Sequence, residues 1–209
     1  AGAEWRASGE AQGRAQAART TAGLPLTTAE VERCLAARME RRSVLRWTGQ
    51  RVEARLERRL GAITLASGPD PAPDPAGVAD ILGGKAVENL GTLLPADLIA
   101  RARYAGLDLL APDRLAAEAD EWLRPLLDGQ RDLDLPNGAV TDALLARLSW
   151  DDRQRLDRLA PREFASPAGT HHAIDYAGGD APSVELRVQA LFGLERHPMI
   201  GDTPLLLRV

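Results

Sequence analysis

The most concentrated chemistry in this sequence is carried by arginine. Between positions 31 and 60 the chain holds nine arginines and four glutamates, a local excess of positive charge in a chain whose formal net charge is −4. Arg41, Arg42, Arg46, Arg51, Arg55, Arg58 and Arg59 could track a phosphate backbone, because guanidinium groups contact phosphate without needing base information. A self-paired surface competes with that reading. Arg51, Glu53, Arg55, Glu57 and Arg59 alternate in sign, and opposite charges pair across strands. The negative net charge argues against binding a polyanion over the whole surface, so any nucleic-acid contact must be local. Lys85 is the only lysine among 26 basic residues, a skew that arginine-favouring codon usage explains without phosphate recognition.

Other chemistries find little support. A phosphate-cradling loop needs Gly-x-x-x-x-Gly-Lys-[Ser/Thr] between a strand and a helix. Gly84-Lys85 is the nearest approach, but alanines stand at 79 and 86 and the pair lies in a helical pattern. Asp120-Glu121-Trp122-Leu123 begins like the D-E-x-H motif of nucleotide-driven motors, yet has Leu where His is required and reads as a solvated helix face. His171 and His172 are neighbours in a predicted strand and point to opposite faces, and His197 is remote, so no metal-ligand spacing emerges. No G-x-S-x-G elbow surrounds Ser149, Ser166 or Ser183. Asp151-Asp152 reads as a helix cap and first-turn pair rather than an acid/base couple. Cys34, the one cysteine, cannot form an internal disulfide and is expected in the core. No catalytic residue, metal site or cofactor site is assigned.

The elements that would position these residues follow from periodicity. Residues 1–23, rich in Ala, Gly, Arg and Gln, lack an apolar stripe and are expected to be a frayed tail or the cut end of something larger. Residues 24–66 predict a helix opened by a capping box, Thr27 to Glu30, with Val31, Cys34, Leu35 and Met39 on one face. A β-hairpin turning at Thr48-Gly49 follows, its buried face carrying Val52, Ala54, Leu56 and Leu60, and Ile63-Thr64-Leu65 extends the sheet. Residues 67–75, with four prolines, predict an irregular linker. Residues 76–160 predict a helical array: Val78, Ile81 and Leu82; Leu98, Ile99 and Ala102; Leu115, Ala119, Trp122, Leu123 and Leu126; Val140, Leu144, Leu145 and Leu148; and a helix from Asp151 to before Pro161 with Leu156 and Leu159 inward. Residues 161–209 predict a small β/α unit: strands at 163–165 and 172–176 around a Pro167-Ala168-Gly169 turn, the Gly178-Gly179-Asp180 loop, a helix over 184–192 stopped by Gly193, and a strand over 205–209. The fold class is α+β.

Three stretches in order resemble one family. They are Arg51-Val-Glu-Ala-Arg-Leu-Glu-Arg-Arg-Leu-Gly-Ala-Ile63; Glu121-Trp122-Leu123-Arg124-Pro125 with Leu127 and Gly129; and Leu156-Asp-Arg-Leu-Ala-Pro161 with Pro167, Gly169, Ile174-Asp175-Tyr176, Arg187-Val-Gln189 and Leu191-Phe-Gly193-Leu194. Over roughly residues 20–209 the order and spacing are similar to the C-terminal region of the HrpB family, bacterial relatives of DEAH-box RNA helicases. Arg162, Ala168 and Ala190 depart from the Thr, Ser and Glu favoured there.

The resemblance implies that the front is the end of an oligonucleotide-binding-like (OB-like) segment. It also implies that a helicase core precedes this chain, that an S-P-A-x-R-P tail follows Val209, and that ATP and Mg belong to the parent rather than to this part. The expected function is an accessory fragment of an ATP-dependent RNA helicase that binds single-stranded RNA or packs on the motor domains of the same parent chain. The alternative is a structural or protein-docking extension that touches no nucleic acid. No export, lipidation or membrane segment is visible, which predicts a cytoplasmic location.

Overall fold

Strand pairing dominates the front of the chain and leucine packing the rest. The computed structural model describes residues 5–12, 19–179 and 181–209. It divides into two units, Ala1–Gly77 and Val78–Val209, and its mixture of helix and sheet is α+β.

In the first unit β1 (Trp5–Gln12) and β2 (Arg19–Leu26) pair antiparallel, with Trp5 opposite Leu26 and Gln12 opposite Arg19. Over residues 5–12 and 19–23 this differs from the expected frayed tail. Strand pairing satisfies backbone N–H and C=O groups whatever the side chains, so the missing apolar stripe was a poor guide. Residues 1–4 and 13–18 of that stretch lie outside the described residues. α1 (Thr28–Leu35) begins at the capping box: the Glu30 amide donates to the Thr27 hydroxyl at 3.3 Å, and the Thr27 amide donates to the Glu30 carboxylate at 2.8 Å. The Thr27 amide, followed by the Thr27 hydroxyl, holds the Glu30 carboxyl below its ordinary value.

α1 gives way to a 3-10 turn at Ala36–Arg38, and Met39, expected on the helical stripe, becomes the first residue of β3 (Met39–Trp47). Among the α1 residues whose burial is described, Val31 alone is buried, and Cys34 is exposed rather than in the core. Cys34 shares the face of Val31, but it stands in the last turn of an eight-residue helix, where the chain already turns off toward β3 and leaves the thiol uncovered.

β3, β4 (Val52–Leu60) and β5 (Ile63–Pro69) form an antiparallel sheet in that order. Trp47 faces Val52, and the Thr48 amide donates to the Arg51 carbonyl at 3.0 Å, so the two turning residues are Gly49-Gln50, one position beyond the predicted turn. Gly49 has φ +96°, the left-handed value that a two-residue hairpin turn demands and glycine supplies without strain.

The predicted irregular stretch 67–75 is shorter than expected. Ser67, Gly68 and Pro69 complete β5, an edge strand, where proline is tolerated. Asp70 then ties the chain back. Its amide donates to the Ala54 carbonyl at 3.0 Å, its carboxylate receives the Ser43 hydroxyl at 2.5 Å, and the residue is only 8% exposed. Asp74 accepts from the amides of Ala76 and Gly77, capping α2 (Pro75–Glu88).

Most of α2 belongs to the second unit, with α3 (Leu90–Leu93), α4 (Ala96–Tyr104), α5 (Pro112–Ala117), α6 (Ala119–Trp122), α7 (Arg124–Leu127), α8 (Ala139–Arg147) and α9 (Trp150–Leu159). Leu82, Leu110, Leu115, Leu123, Leu127, Leu144 and Leu156 are fully buried. The stripe at 115–126 is broken into α5, α6 and α7 rather than one helix. Pro125 sits in the first turn of α7, where its missing N–H costs nothing, and the break buries Leu127 in place of the predicted Leu126. Ser149, not the aspartate pair, caps α9, accepting from the Asp152 amide at 3.1 Å.

Beyond Pro161, β6 (Glu163–Ala165), β7 (His171–Asp175), β8 (Ser183–Glu185) and β11 (Leu206–Arg208) form a sheet of order β11-β8-β7-β6, parallel only between β8 and β11. β9 (Met199–Ile200) and β10 (Thr203–Pro204) pair separately. The helix predicted over 184–192 is absent: Val184 lies in β8 and Val188–Leu191 form a 3-10 turn. Ser183 and Val184 are 2% and 1% exposed, burial on both faces that long-range pairing with β7 and β11 imposes over the local helical spacing. Asp180 lies outside the described residues. No helix among the described residues is long and apolar enough to cross a membrane.

Candidate nucleic-acid interface

The hairpin register sorts the seven arginines. On one face of β3 and β4, Glu40 lies opposite Arg59, Arg42 opposite Glu57, Val44 opposite Arg55 and Arg46 opposite Glu53. On the other face Arg41 lies opposite Arg58, in the row that includes Leu45, Trp47, Val52 and Leu56. Arg51 sits beside the turn. Strict alternation along both strands produces this separation, because successive side chains leave opposite faces.

Hydrogen bonding sorts them again, by strand. Arg55 donates from Nε to the Ser67 hydroxyl at 2.9 Å and from Nη2 to the Ser67 carbonyl at 3.3 Å, fastening β4 to β5. Arg59 donates to the Ala62 carbonyl at 3.4 Å and lies 4.0 Å from Glu57. Arg58 also has a partner. The guanidinium groups of Arg41, Arg42, Arg46 and Arg51, also exposed residues, by contrast make no hydrogen bond or ion pair among the described residues. Three of these four stand on β3, an edge strand of its sheet, and the fourth at the tip. The sequence pattern treated all seven alike. Ser67, which occupies Arg55, lay in the stretch read as linker, so nothing in the alternation of Arg and Glu disclosed it.

The nearest approach to a phosphate cradle does not fit one. Gly84 and Lys85 lie inside α2, and Lys85 is engaged by Glu88 at 2.6 Å. Amides within a continuous helix are spent on its own carbonyls. The acids of the D-E pair face arginines: Asp120 is 3.8 Å from Arg124, and Glu121 is 3.7 Å from Arg147. Glu118 receives Arg114 at 2.9 Å and also pairs with Arg147, and the Arg114 hydrogen bond draws its carboxyl below the ordinary value. The histidines diverge as expected, His171 toward Glu163 at 3.3 Å and His172 toward the Thr170 hydroxyl at 2.7 Å.

Residues 122–209 match the family HrpB_C, described as ATP-dependent helicase C-terminal. A curated relative, the ATP-dependent RNA helicase HrpB of Escherichia coli (strain K12), is 33% identical over 100 residues, 46% of this chain and 12% of the relative. Over these residues the chain is similar to the C-terminal region of HrpB-type helicases.

Two solved structures share its fold. The crystal structure of Escherichia coli DEAH/RHA helicase HrpB matches with TM-score 0.56 and 23% identity over 81% of this chain and 24% of that one. The crystal structure of E. coli DExH-box NTPase HrpB matches with TM-score 0.53 and 21% identity over 98% of this chain and 27% of that one. The present chain thus spans about an eighth of the curated HrpB relative it matches, at 12% of its length. The family match begins at Trp122, so of the three resembling stretches the Arg-rich one at 51–63 lies outside it.

The most specific HrpB-like residues serve the architecture. Trp122 donates its indole N–H to the Leu115 carbonyl at 2.9 Å, joining α6 to α5. Tyr176 donates its hydroxyl to the Pro161 carbonyl at 2.7 Å, and its ring lies 5.1 Å from that of Tyr104. These bonds lock α4, the end of α9 and the strand region together. They assign no reaction to the HrpB-like region.

Proposed function

We propose that this chain is an accessory part of an HrpB-type ATP-dependent RNA helicase that contacts single-stranded RNA through Arg41, Arg42, Arg46 and Arg51. In this reading it packs on motor domains of the same parent chain, and the parent's motor binds and hydrolyses ATP with Mg. Arg55, Arg58 and Arg59, on the neighbouring strand β4, are engaged by partners of their own. The observation that carries the reading is the absence, among the described residues, of any partner for the arginines of β3 and the turn, while those of β4 are engaged. Unpaired guanidinium groups on one edge remain available to phosphate oxygens.

Anisotropy of a labelled single-stranded oligoribonucleotide, measured against salt concentration, tests this. With four phosphate contacts, log K falls with log salt at a slope of about −3. Arg46→Glu with Arg51→Glu flattens that slope and weakens binding. Affinity that ignores both salt and these changes rejects the RNA contact and favours a protein-docking extension.

A further inference from the structure

A groove of about 960 Å³ opens in the second unit between the β6–β7 turn and the segment that leaves β8. That volume lies at the upper end of small-ligand sites, roughly 300–1,000 Å³. Its wall is chemically mixed. Thr170 and His172 stand on one side, and Glu185, Arg187, Val188 and Gln189 on the other. The Thr170 hydroxyl lies 2.7 Å from His172 Nε2 and 2.8 Å from the Ser166 hydroxyl, which fixes both side chains at the groove's edge.

The opposite side is set by the backbone. Leu186 and Ala190 are buried, at 6% and 8% exposure, while Arg187, Val188 and Gln189 are exposed, Val188 at 50%. The 3-10 turn at Val188–Leu191 therefore anchors on its apolar neighbours and offers a guanidinium, an apolar face and an amide to the groove. The side chains of Arg187 and Gln189 have no hydrogen-bond or ion-pair partner among the described residues, although Glu185 lines the same groove.

We infer that this groove binds a nucleoside monophosphate unit, free or within single-stranded RNA. This rests on the RNA-contact reading above and extends it to a second site. Arg187 has the forked donors that suit a phosphate. Gln189 carries a donor and an acceptor side by side, the complement of a base edge. Val188 offers an apolar surface for the base, and Glu185 an acceptor for ribose hydroxyls, the groups that distinguish RNA. A simple anion would need the cation alone, whereas this groove sets a cation, an amide and an apolar face together.

The test uses the full chain, isotope-labelled, titrated separately with uridine monophosphate, adenosine monophosphate, a single-stranded oligoribonucleotide and inorganic phosphate. The expected result is a saturable shift of the Gln189 side-chain amide and His172 ring resonances with nucleotide, weakened roughly tenfold by Arg187→Glu. Mononucleotide shifts without any from the oligonucleotide identify a free nucleotide as the ligand. Shifts from the oligonucleotide at lower concentration identify the strand. Phosphate shifting the same resonances as strongly overturns nucleotide recognition, and so does silence from every probe. Salt-dependent oligonucleotide binding left unchanged by Arg46→Glu with Arg51→Glu, with mononucleotide shifts present, would sink the β3 contact and leave the groove standing.

Discussion

Arg101 donates from Nε to the carbonyl of Ala160 at 2.8 Å, and so ties α4 to the end of α9 from a position only 3% exposed. Its Nη2 reaches Asp157 at 2.9 Å, but Asp157 is 67% exposed. The two bonds are unequal. The carbonyl bond replaces water on a buried peptide group, whereas the ion pair is half in solvent and screened. Arg101→Met is expected to cost about 2–3 kcal/mol of unfolding free energy in urea. Asp157→Ala is expected to cost about 0.5 kcal/mol or less. Equal losses from the two changes would mean that the charge pair, not the carbonyl, holds the junction.

Tyr176 predicts a dependence on alkaline pH. Burial pushes its phenol well above the ordinary value of 10.0, with Arg101 opposing the shift and Tyr104 adding to it. The unfolded chain loses this proton near pH 10 while the folded chain keeps it, so the folded state binds the proton more tightly. The contribution is whole below pH 10 and is lost as pH rises above it. Tyr176→Phe should remove this part of the alkaline loss and cost about 1 kcal/mol at neutral pH, through the Pro161 carbonyl left without its donor. Urea midpoints at neutral and alkaline pH measure both effects, and an unchanged alkaline slope in the variant contradicts the account.

What the sequence made legible was mostly local. The Thr27 to Glu30 cap, the alternation over the first half of β4 and the α9 stop before Pro161 each depend on residues within a turn or a strand of one another, and each is present; beyond Leu56 the burial of β4 no longer alternates. β8 was misread because its partner β11 lies far along the chain, and the spacing of Val184, Val188 and Leu191 suits a helix until that pairing is known. β1 and β2 were invisible for another reason: backbone pairing leaves no signature in small and polar residues. At the candidate interface the charge pattern located the arginines but not their fates, since the bulge between Arg58 and Arg59 and the return of β5 decide which guanidinium meets Ser67 or Ala62.

Gly83 and Gly84 stand in the interior of α2, where glycine is destabilising relative to alanine. A Cβ at either position meets nothing within 4 Å, and neither has a left-handed φ. Alanine at each should therefore stabilise α2 by up to about 1 kcal/mol, through the smaller entropy of the unfolded chain and the better helix propensity. Thermal unfolding of Gly83→Ala and Gly84→Ala should show midpoints raised by roughly 2–4 °C each. Lowered midpoints would reveal a backbone role for these glycines that helix geometry does not predict.

The division of labour between β3 and β4 makes opposite predictions for two arginines on the same sheet face. Arg55 spends its guanidinium on Ser67, at 2.9 Å to the hydroxyl and 3.3 Å to the carbonyl. The side chain of Arg46, opposite Glu53, has no hydrogen bond or ion pair among the described residues. Arg55→Ala should lower stability by about 1 kcal/mol or less, because the β4–β5 tie is lost at an exposed site. Arg46→Ala should leave stability within about 0.5 kcal/mol, as surface changes without partners do. For a single-stranded oligoribonucleotide the order reverses. Arg46→Ala should reduce the salt slope by about 0.7, one phosphate's share, and Arg55→Ala should leave the slope unchanged at temperatures where the sheet stays folded. The paired measurements are a urea titration and a salt series on each variant. If Arg46 proves as costly to stability as Arg55 and neither alters the slope, the edge of β3 is a structural surface and the RNA contact is wrong.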